Sequence, residues 1–198
     1  MKSYIFFIRH GITEGNQKKW FYGSVDIPLV KEGIEELNRL KEEGIYPHFE
    51  RAQYFTSGMT RTEQTLNLLY GEVEHKVIPE FKEMNFGEYE CKTYDDLKDD
   101  DAFNRFAYNN DIDYIFPKGE SKKIFAMRVY QGLETLLDSH LKNDVFASIV
   151  ISHGGVITAS LDRLFPDETK NMWDWMPKPG RGYKVHLVNG KPVEYEEI

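Results

Sequence analysis

Short apolar runs alternate with amphipathic stretches along this chain, and that alternation is what most restricts how it can fold. The run SYIFFI at residues 3–8 is too short for a helix and reads as a buried strand. An amphipathic stretch over 32–44 closes at Gly44, where a helix end favours glycine. AQYFTS (52–57) predicts a second strand, MTRTEQTLNLLYG (59–71) a second helix ended by Gly71, and HKVIPE (75–80) a short third strand. The longest helical pattern covers 120–142, with Phe125, Val129, Gly132, Leu133, Leu136 and Leu137 on one face. VFASIVIS (145–152) is a further buried strand that runs straight into a glycine-led helix over 154–165. YKVHLVNGKPVEY (183–195) is a hairpin turned at Asn189-Gly190. Strands alternating with helices predict an α/β fold of three layers, a mainly parallel sheet covered on both faces, with the hairpin adding antiparallel edge strands. One domain over residues 1–198 is expected, with the acidic, aromatic segment 91–118 as a small cap-like insertion over the sheet edge.

Open α/β sheets bind ligands beyond the carboxyl ends of their strands, so the strand ends carry the functional information. The first strand ends in Arg9-His10-Gly11, the second in Ser57 with Arg61 close behind, and the late strand in Ser152-His153-Gly154-Gly155. Two arginines and two histidines thus converge on one rim from three parts of the chain. Guanidinium forks grip phosphoryl oxygens bidentately, and a neutral imidazole can attack phosphorus. Arg61 stands four residues after Ser57 and four before Thr65, on one helical face.

RHGITEGN (9–16) carries the Arg-His-Gly-x-Thr-x-x-Asn signature and so resembles the histidine phosphatase superfamily, the phosphoglycerate mutase-like proteins. DIPLVKEG (26–33), SGMTRTEQT (57–65), FKEMNFGEYE (81–90), PKGES (117–121) and VISHGG (150–155) are similar to further motifs of that family, in the family's order. Four positions depart from it: Val30 stands for Thr, Tyr89 for Trp, and Cys91 and Lys118 for Gly. They lie at a helix start and in the cap region, so they bear on substrate choice and leave the reacting groups intact.

The resemblance implies a phosphoglycerate mutase-like fold and a phosphatase mechanism. His10 is then the nucleophile that takes the phosphoryl group, and Arg9, Arg61 and His153 hold its oxygens. Glu83 is the proton donor to the leaving oxygen, with Glu90 as its rival. Asn16 is expected to hydrogen-bond the phosphoryl group. Gly11, Gly23 and Gly154 are expected to line the phosphate site through their backbone, and the helix that Gly154 opens offers N–H groups to an anion. The arginines supply the cationic clamp, so neither a metal nor a cofactor is expected. A mutase would use the same residues and return the phosphoryl group to a second hydroxyl, and a non-catalytic phosphate binder would have no use for a proton donor. The short cap, with Tyr94, Arg105 and Tyr108 as candidate contacts to the leaving group, favours the phosphatase.

Composition narrows the partners. Acids outnumber Lys and Arg 33 to 25, a formal net charge of −8, which excludes a general nucleic-acid or anionic-membrane surface. The expected partner is a small-molecule phosphate monoester. Cys91 is the single cysteine, so neither an internal disulfide nor a cysteine-rich metal site can form, and position 97 is leucine where a cysteine phosphatase needs arginine. The acidic runs at 99–101 and 111–113 do not end a hydrophobic strand, as a catalytic aspartate pair would. The first apolar run is too short for a signal peptide, and no stretch is long enough to span a membrane, so a cytoplasmic protein is expected. The remaining histidines read as structural or exposed, His140 as a cation complementing a helix C-terminus.

Overall fold

The computed structural model describes residues 2–107, 111–167, 169–170 and 174–198. Its centre is a six-stranded sheet in the order β3-β2-β4-β1-β5-β6. Strands β1 (Lys2–Arg9), β2 (Ala52–Thr56), β3 (His75–Val77) and β4 (Ala147–Ser152) run parallel. The expected hairpin, β5 (Gly182–Val188) and β6 (Lys191–Glu197), joins antiparallel beside β1, with Asn189 and Gly190 both at positive φ in the turn.

The period-two alternation of β1 shows why both faces are covered. Ile5 and Phe7 point to one side, Phe6 and Ile8 to the other, and all four are buried. Phe6 and Ile8 meet Leu37 and Leu40 of α2 (Lys31–Glu42) and Leu66 and Leu69 of α3 (Thr60–Tyr70). Ile5 and Phe7 meet the other layer, α6 (Lys122–Lys142) and α7 (Gly154–Leu164), through Phe125, Val129, Val156 and Ile157. Gly44 and Gly71 follow α2 and α3 at φ 76° and 77°, positive values that glycine adopts without a Cβ penalty.

Three short helices were not anticipated: α1 (Glu14–Gln17), α4 (Tyr94–Leu97) and α5 (Asp101–Ala107). The last two lie in the segment 91–118. That segment is anchored to the sheet: Phe103, Phe106 and Phe116 are buried in the same apolar cluster as Ile5 and Phe7. Its aspartates do local work, Asp96 capping α4 through Thr93 and Asp100 accepting from Tyr89 and Phe103.

His140 corrects one expectation. It is buried among Ser148 and Ser3, with Nδ1 2.8 Å and Nε2 2.9 Å from their hydroxyls. Burial lowers its pKa, so it serves as a neutral tie between α6 and the two central strands and not as a cation at a helix end.

Candidate active site

Strand register puts the two histidines side by side. β1 pairs with β4 so that Arg9 lies opposite Ser152, and His10 and His153 each come one residue later. The His10 N–H donates to the Ser152 carbonyl at 2.9 Å. The two imidazole centroids stand 5.2 Å apart at an interplanar angle of 63°. On the other side of β4, β2 ends at Thr56 opposite Ile151, so Ser57 reaches the same rim. Its hydroxyl is 2.8 Å from His153 Nε2. The helix that starts at Thr60 brings Arg61 in with no exposed surface, and Arg61 Nε donates to His153 Nδ1 at 3.2 Å.

These contacts fix the protons. His153 Nδ1 accepts, so Nε2 carries hydrogen and donates to Ser57. His10 Nδ1 donates to the Gly11 carbonyl at 2.7 Å, which leaves the lone pair on Nε2. Burial, then Arg61 and Arg9, drives the His10 pKa well below its ordinary value. Burial, then Arg61, His10 and Arg9, does the same to His153. Both imidazoles are neutral at physiological pH, and a neutral His10 has the electron pair a nucleophile needs.

The cations stand ready for an anion. Arg61 Nη1 donates to the Val25 carbonyl (3.0 Å) and Nη2 to that of Gly23 (2.9 Å), so with Nε three of its five N–H groups are held by the protein. Arg9 Nη1 donates to Pro177 at 2.7 Å, but its Nε is buried with no hydrogen-bond partner. A buried, unpaired guanidinium N–H carries a desolvation cost that an incoming oxyanion would remove. Gly154 leaves room beside it, because a Cβ there would sit 3.2 Å from the Arg9 Cζ and 2.3 Å from the Met176 sulfur, and both side chains would have to shift.

Glu83 reaches this group from the irregular segment after β3. Its Oε1 accepts from the Met84 N–H and its Oε2 from the Gly155 N–H in the first turn of α7, both at 2.9 Å. A Cβ at position 155 would fall 2.5 Å from Oε1 and so would push the carboxylate from this place. The carboxylate acts electrostatically on Arg9 and Arg61, opposing the effect of their burial.

Of the expected backbone contacts, the N–H groups of Gly11 and Gly23 are engaged within the protein. The Gly11 N–H goes to Thr65 Oγ1 at 3.1 Å, so this glycine orients His10 through its carbonyl. The Gly23 N–H is held by both oxygens of Glu90, at 3.0 and 2.9 Å, and so is engaged by the protein itself. Gly154 lies in the first turn of α7, where N–H groups lack an intrahelical acceptor. Asn16 Oδ1 accepts from Thr13 and from the Tyr22 hydroxyl, which directs its other end, the Nδ2 donor, away from that network. Arg105 pairs with Asp111 at 2.7 Å and lies over the Tyr114 ring, and Tyr94 is exposed against Phe103. Tyr108 is outside the described residues.

Three participants escaped the sequence. Tyr22 is buried, its ring 5.1 Å from the Arg61 Cζ and its hydroxyl on Thr13 at 2.6 Å. Glu90, expected only as a rival proton donor, accepts N–H bonds from Gly23, Ser24, Val25 and Phe86, and so shapes the loop whose carbonyls hold Arg61. Arg128 binds the main chain that carries Glu83. Its signal was a cation three residues after Phe125 and four before Gly132, on the apolar face of the longest helix.

A mainly parallel sheet with two neutral histidines, the buried Arg61 and the partly buried Arg9 at the carboxyl end of its strands is the architecture of a phosphate-handling enzyme. Residues 5–194 match the histidine phosphatase superfamily (branch 1), and the chain belongs to that family. It is 29% identical to the adenosylcobalamin/α-ribazole phosphatase of Escherichia coli (strain K12), over 89% of this chain and 86% of that protein. It is 31% identical to the 2,3-bisphosphoglycerate-dependent phosphoglycerate mutase of Beijerinckia indica, over 83% and 84%. The crystal structure of the α-ribazole phosphatase from Shigella flexneri is similar at a TM-score of 0.80 and 25% identity, covering 96% of this chain and 93% of that one. Among the described residues no helix is long and apolar enough to cross a membrane, and no group of three or more His, Cys, Asp or Glu side chains is arranged to hold a metal.

Proposed function

We propose that this protein hydrolyses a small-molecule phosphate monoester through a phosphohistidine on His10, with Glu83 as proton donor. The observation that carries the reading is the neutral His10, its lone pair left on Nε2, within electrostatic reach of Arg61 and of Arg9, whose buried Nε has no partner. In the first step Nε2 attacks phosphorus, the P–O ester bond breaks, and the leaving oxygen takes the proton of Glu83. Arg9 and Arg61 offset the charge that gathers on the phosphoryl oxygens. In the second step water attacks phosphorus, gives its proton to the Glu83 carboxylate, and the N–P bond breaks to release phosphate and neutral His10. His153 keeps Arg61 aimed through the Nε–Nδ1 bond and packs edge-on against the His10 ring.

Rapid acid–base quench with a 32P-labelled ester tests this. The expected product is an acid-labile, base-stable phosphoprotein, absent in His10→Ala; label retained in that variant overturns the assignment. The relatives named adenosylcobalamin/α-ribazole phosphatases make α-ribazole phosphate the first substrate to try, against sugar phosphates and phosphoglycerates as the other arms.

A further inference from the structure

The segment that carries Glu83 has no ladder of its own. A 3-10 turn ends at Phe81, and residues 83–86 belong to neither helix nor strand, so something else must set where the carboxyl stands. One side chain does. Arg128 on α6 donates from Nη1 to the carbonyls of Glu80 (2.7 Å) and Lys82 (2.6 Å) and from Nη2 to that of Glu83 (2.9 Å). Its other two donors go to Glu120, Nε to Oε2 at 3.0 Å and Nη2 to Oε1 at 2.6 Å. An arginine has five N–H donors, and all five are placed. Glu120 returns to the same segment, its Oε1 accepting the Asn85 N–H at 2.8 Å.

The pair is rigidly based. Ser121, next to Glu120, caps α6 by accepting from Ile124, and the Arg128 guanidinium lies over the Phe125 ring at 4.8 Å. Phe125 in turn lies against Gly155, whose N–H holds the Glu83 carboxylate. One ion pair, between Glu120 just before α6 and Arg128 in its second turn, therefore grips residues 80–85 at three carbonyls and one N–H, while α7 receives the side chain. Lysine in place of Arg128 could not reproduce this fork.

We propose that Arg128, buttressed by Glu120, is the positioning residue of Glu83: it acts through the main chain of 80–83 to hold the carboxyl where the leaving oxygen departs. This rests on the reading of Glu83 as proton donor. An acid displaced by about 1 Å can lose on the order of a hundredfold in rate, and only esters whose leaving group needs a proton will register it.

The test is single-turnover phosphorylation of His10 by an alkyl phosphate and by p-nitrophenyl phosphate, in Arg128→Lys and Glu120→Gln, each alone and combined with Glu83→Gln. Arg128→Lys should lose on the order of 10- to 100-fold on the alkyl ester and less than about threefold on the aryl ester. Glu120→Gln, which keeps the shape and weakens the pair, should show a smaller split in the same direction. In the Glu83→Gln background neither change should cost anything further on the alkyl ester, because the group they position is gone. Equal losses on the two esters, or losses that persist undiminished in the Glu83→Gln background, overturn the proposal while leaving Glu83 as the acid. Equal losses from Glu83→Gln alone overturn the reading of Glu83, and this inference with it.

Discussion

Arg61 and His153 are joined by a hydrogen bond from Nε to Nδ1 at 3.2 Å, and neither side chain has any exposed surface. The bond settles which nitrogen of His153 bears the proton and spends one of the five donors of Arg61. It also makes Ser57 necessary, because the hydrogen left on Nε2 needs an acceptor in a buried site, and the Ser57 hydroxyl is that acceptor at 2.8 Å.

Ser57→Ala removes that acceptor and frees His153 to adopt the other tautomer, which would turn an N–H against Arg61. The expected loss is about tenfold in kcat on an aryl phosphate, corresponding to one buried hydrogen bond of about 1–1.5 kcal/mol. Phosphohistidine should still form on His10. Steady-state kinetics decide it, and an unchanged kcat would remove Ser57 from the working site.

Glu90→Ala should act on Arg61 at a distance. The carboxylate gathers the N–H groups of Gly23, Ser24 and Val25, and the carbonyls of Gly23 and Val25 hold the Arg61 guanidinium. With the loop released, we expect kcat/KM to fall about a hundredfold, or about 2–3 kcal/mol, and inhibition by inorganic phosphate to weaken in parallel. Product inhibition at wild-type strength would show that the loop does not set the cation.

Stability should decline on the acid side. His10, His140 and His153 all have pKa values lowered by burial. Between the folded values and the unfolded value of about 6.5, the unfolded chain binds more protons than the native one. The stability is fully present above about pH 6.5 and is lost as pH falls from there, by up to about 1.4 kcal/mol per unit for each histidine. Urea unfolding at pH 7.5 and at 5.5 measures the slope, and His140→Gln should flatten it without touching the chemistry. The phosphorylation rate should show no acid limb at 6.5, since His10 is still neutral there.

What the sequence revealed follows from what identity can encode. β1 and β4 were legible because strands buried on both faces are written as unbroken apolar runs, and the long helix because its face recurs over many turns. Arg9, His10, Arg61 and His153 were legible because a parallel sheet gathers its strand ends on one rim. The helices α1, α4 and α5 are too short to display a period. The parts played by Glu90 and Arg128 were hidden for another reason: their partners are backbone N–H and carbonyl groups, which every residue carries. His140 was misjudged because one of its partners, Ser3, lies 137 residues away.

Three of the four departures from the family's motifs can be tested as local defects. Cys91 and Lys118 stand where glycine is usual, and their φ angles are 61° and 59°, in the left-handed region that costs a side chain about 1–2 kcal/mol. Cys91→Gly and Lys118→Gly should each stabilise the fold by up to about 1 kcal/mol after the greater freedom of unfolded glycine is subtracted. Val30 begins α2 with no side-chain cap, and Val30→Thr should add about 1 kcal/mol. Thermal melting reads all three, and lower melting temperatures would show that these side chains hold something their neighbours need. Tyr89 is buried in the apolar cluster, and its hydroxyl donates to Asp100.

The last prediction separates phosphatase from mutase, since both kinds stand among the chain's relatives. A mutase must retain a three-carbon intermediate while it turns over, which calls for cations to hold the substrate carboxylate and a site closed to water. The cap between Glu90 and Glu120 contains a single arginine, Arg105, and that guanidinium is paired with Asp111 and laid over Tyr114. The basic C-terminal stretch offers little in its place. Lys184 is bound to Glu196 at 2.6 Å and covers Tyr4, and Arg181 is within electrostatic reach of Glu36, whose pKa is lowered chiefly by Arg39 and in smaller part by Arg181. Water should therefore reach the phosphohistidine before an alcohol can return to it. Incubation with 3-phosphoglycerate and catalytic 2,3-bisphosphoglycerate, following 2-phosphoglycerate and free phosphate together, should give phosphate release at least as fast as isomerisation. Isomerisation outrunning phosphate release by about a hundredfold, a barrier difference of about 2.7 kcal/mol, would make the protein a mutase.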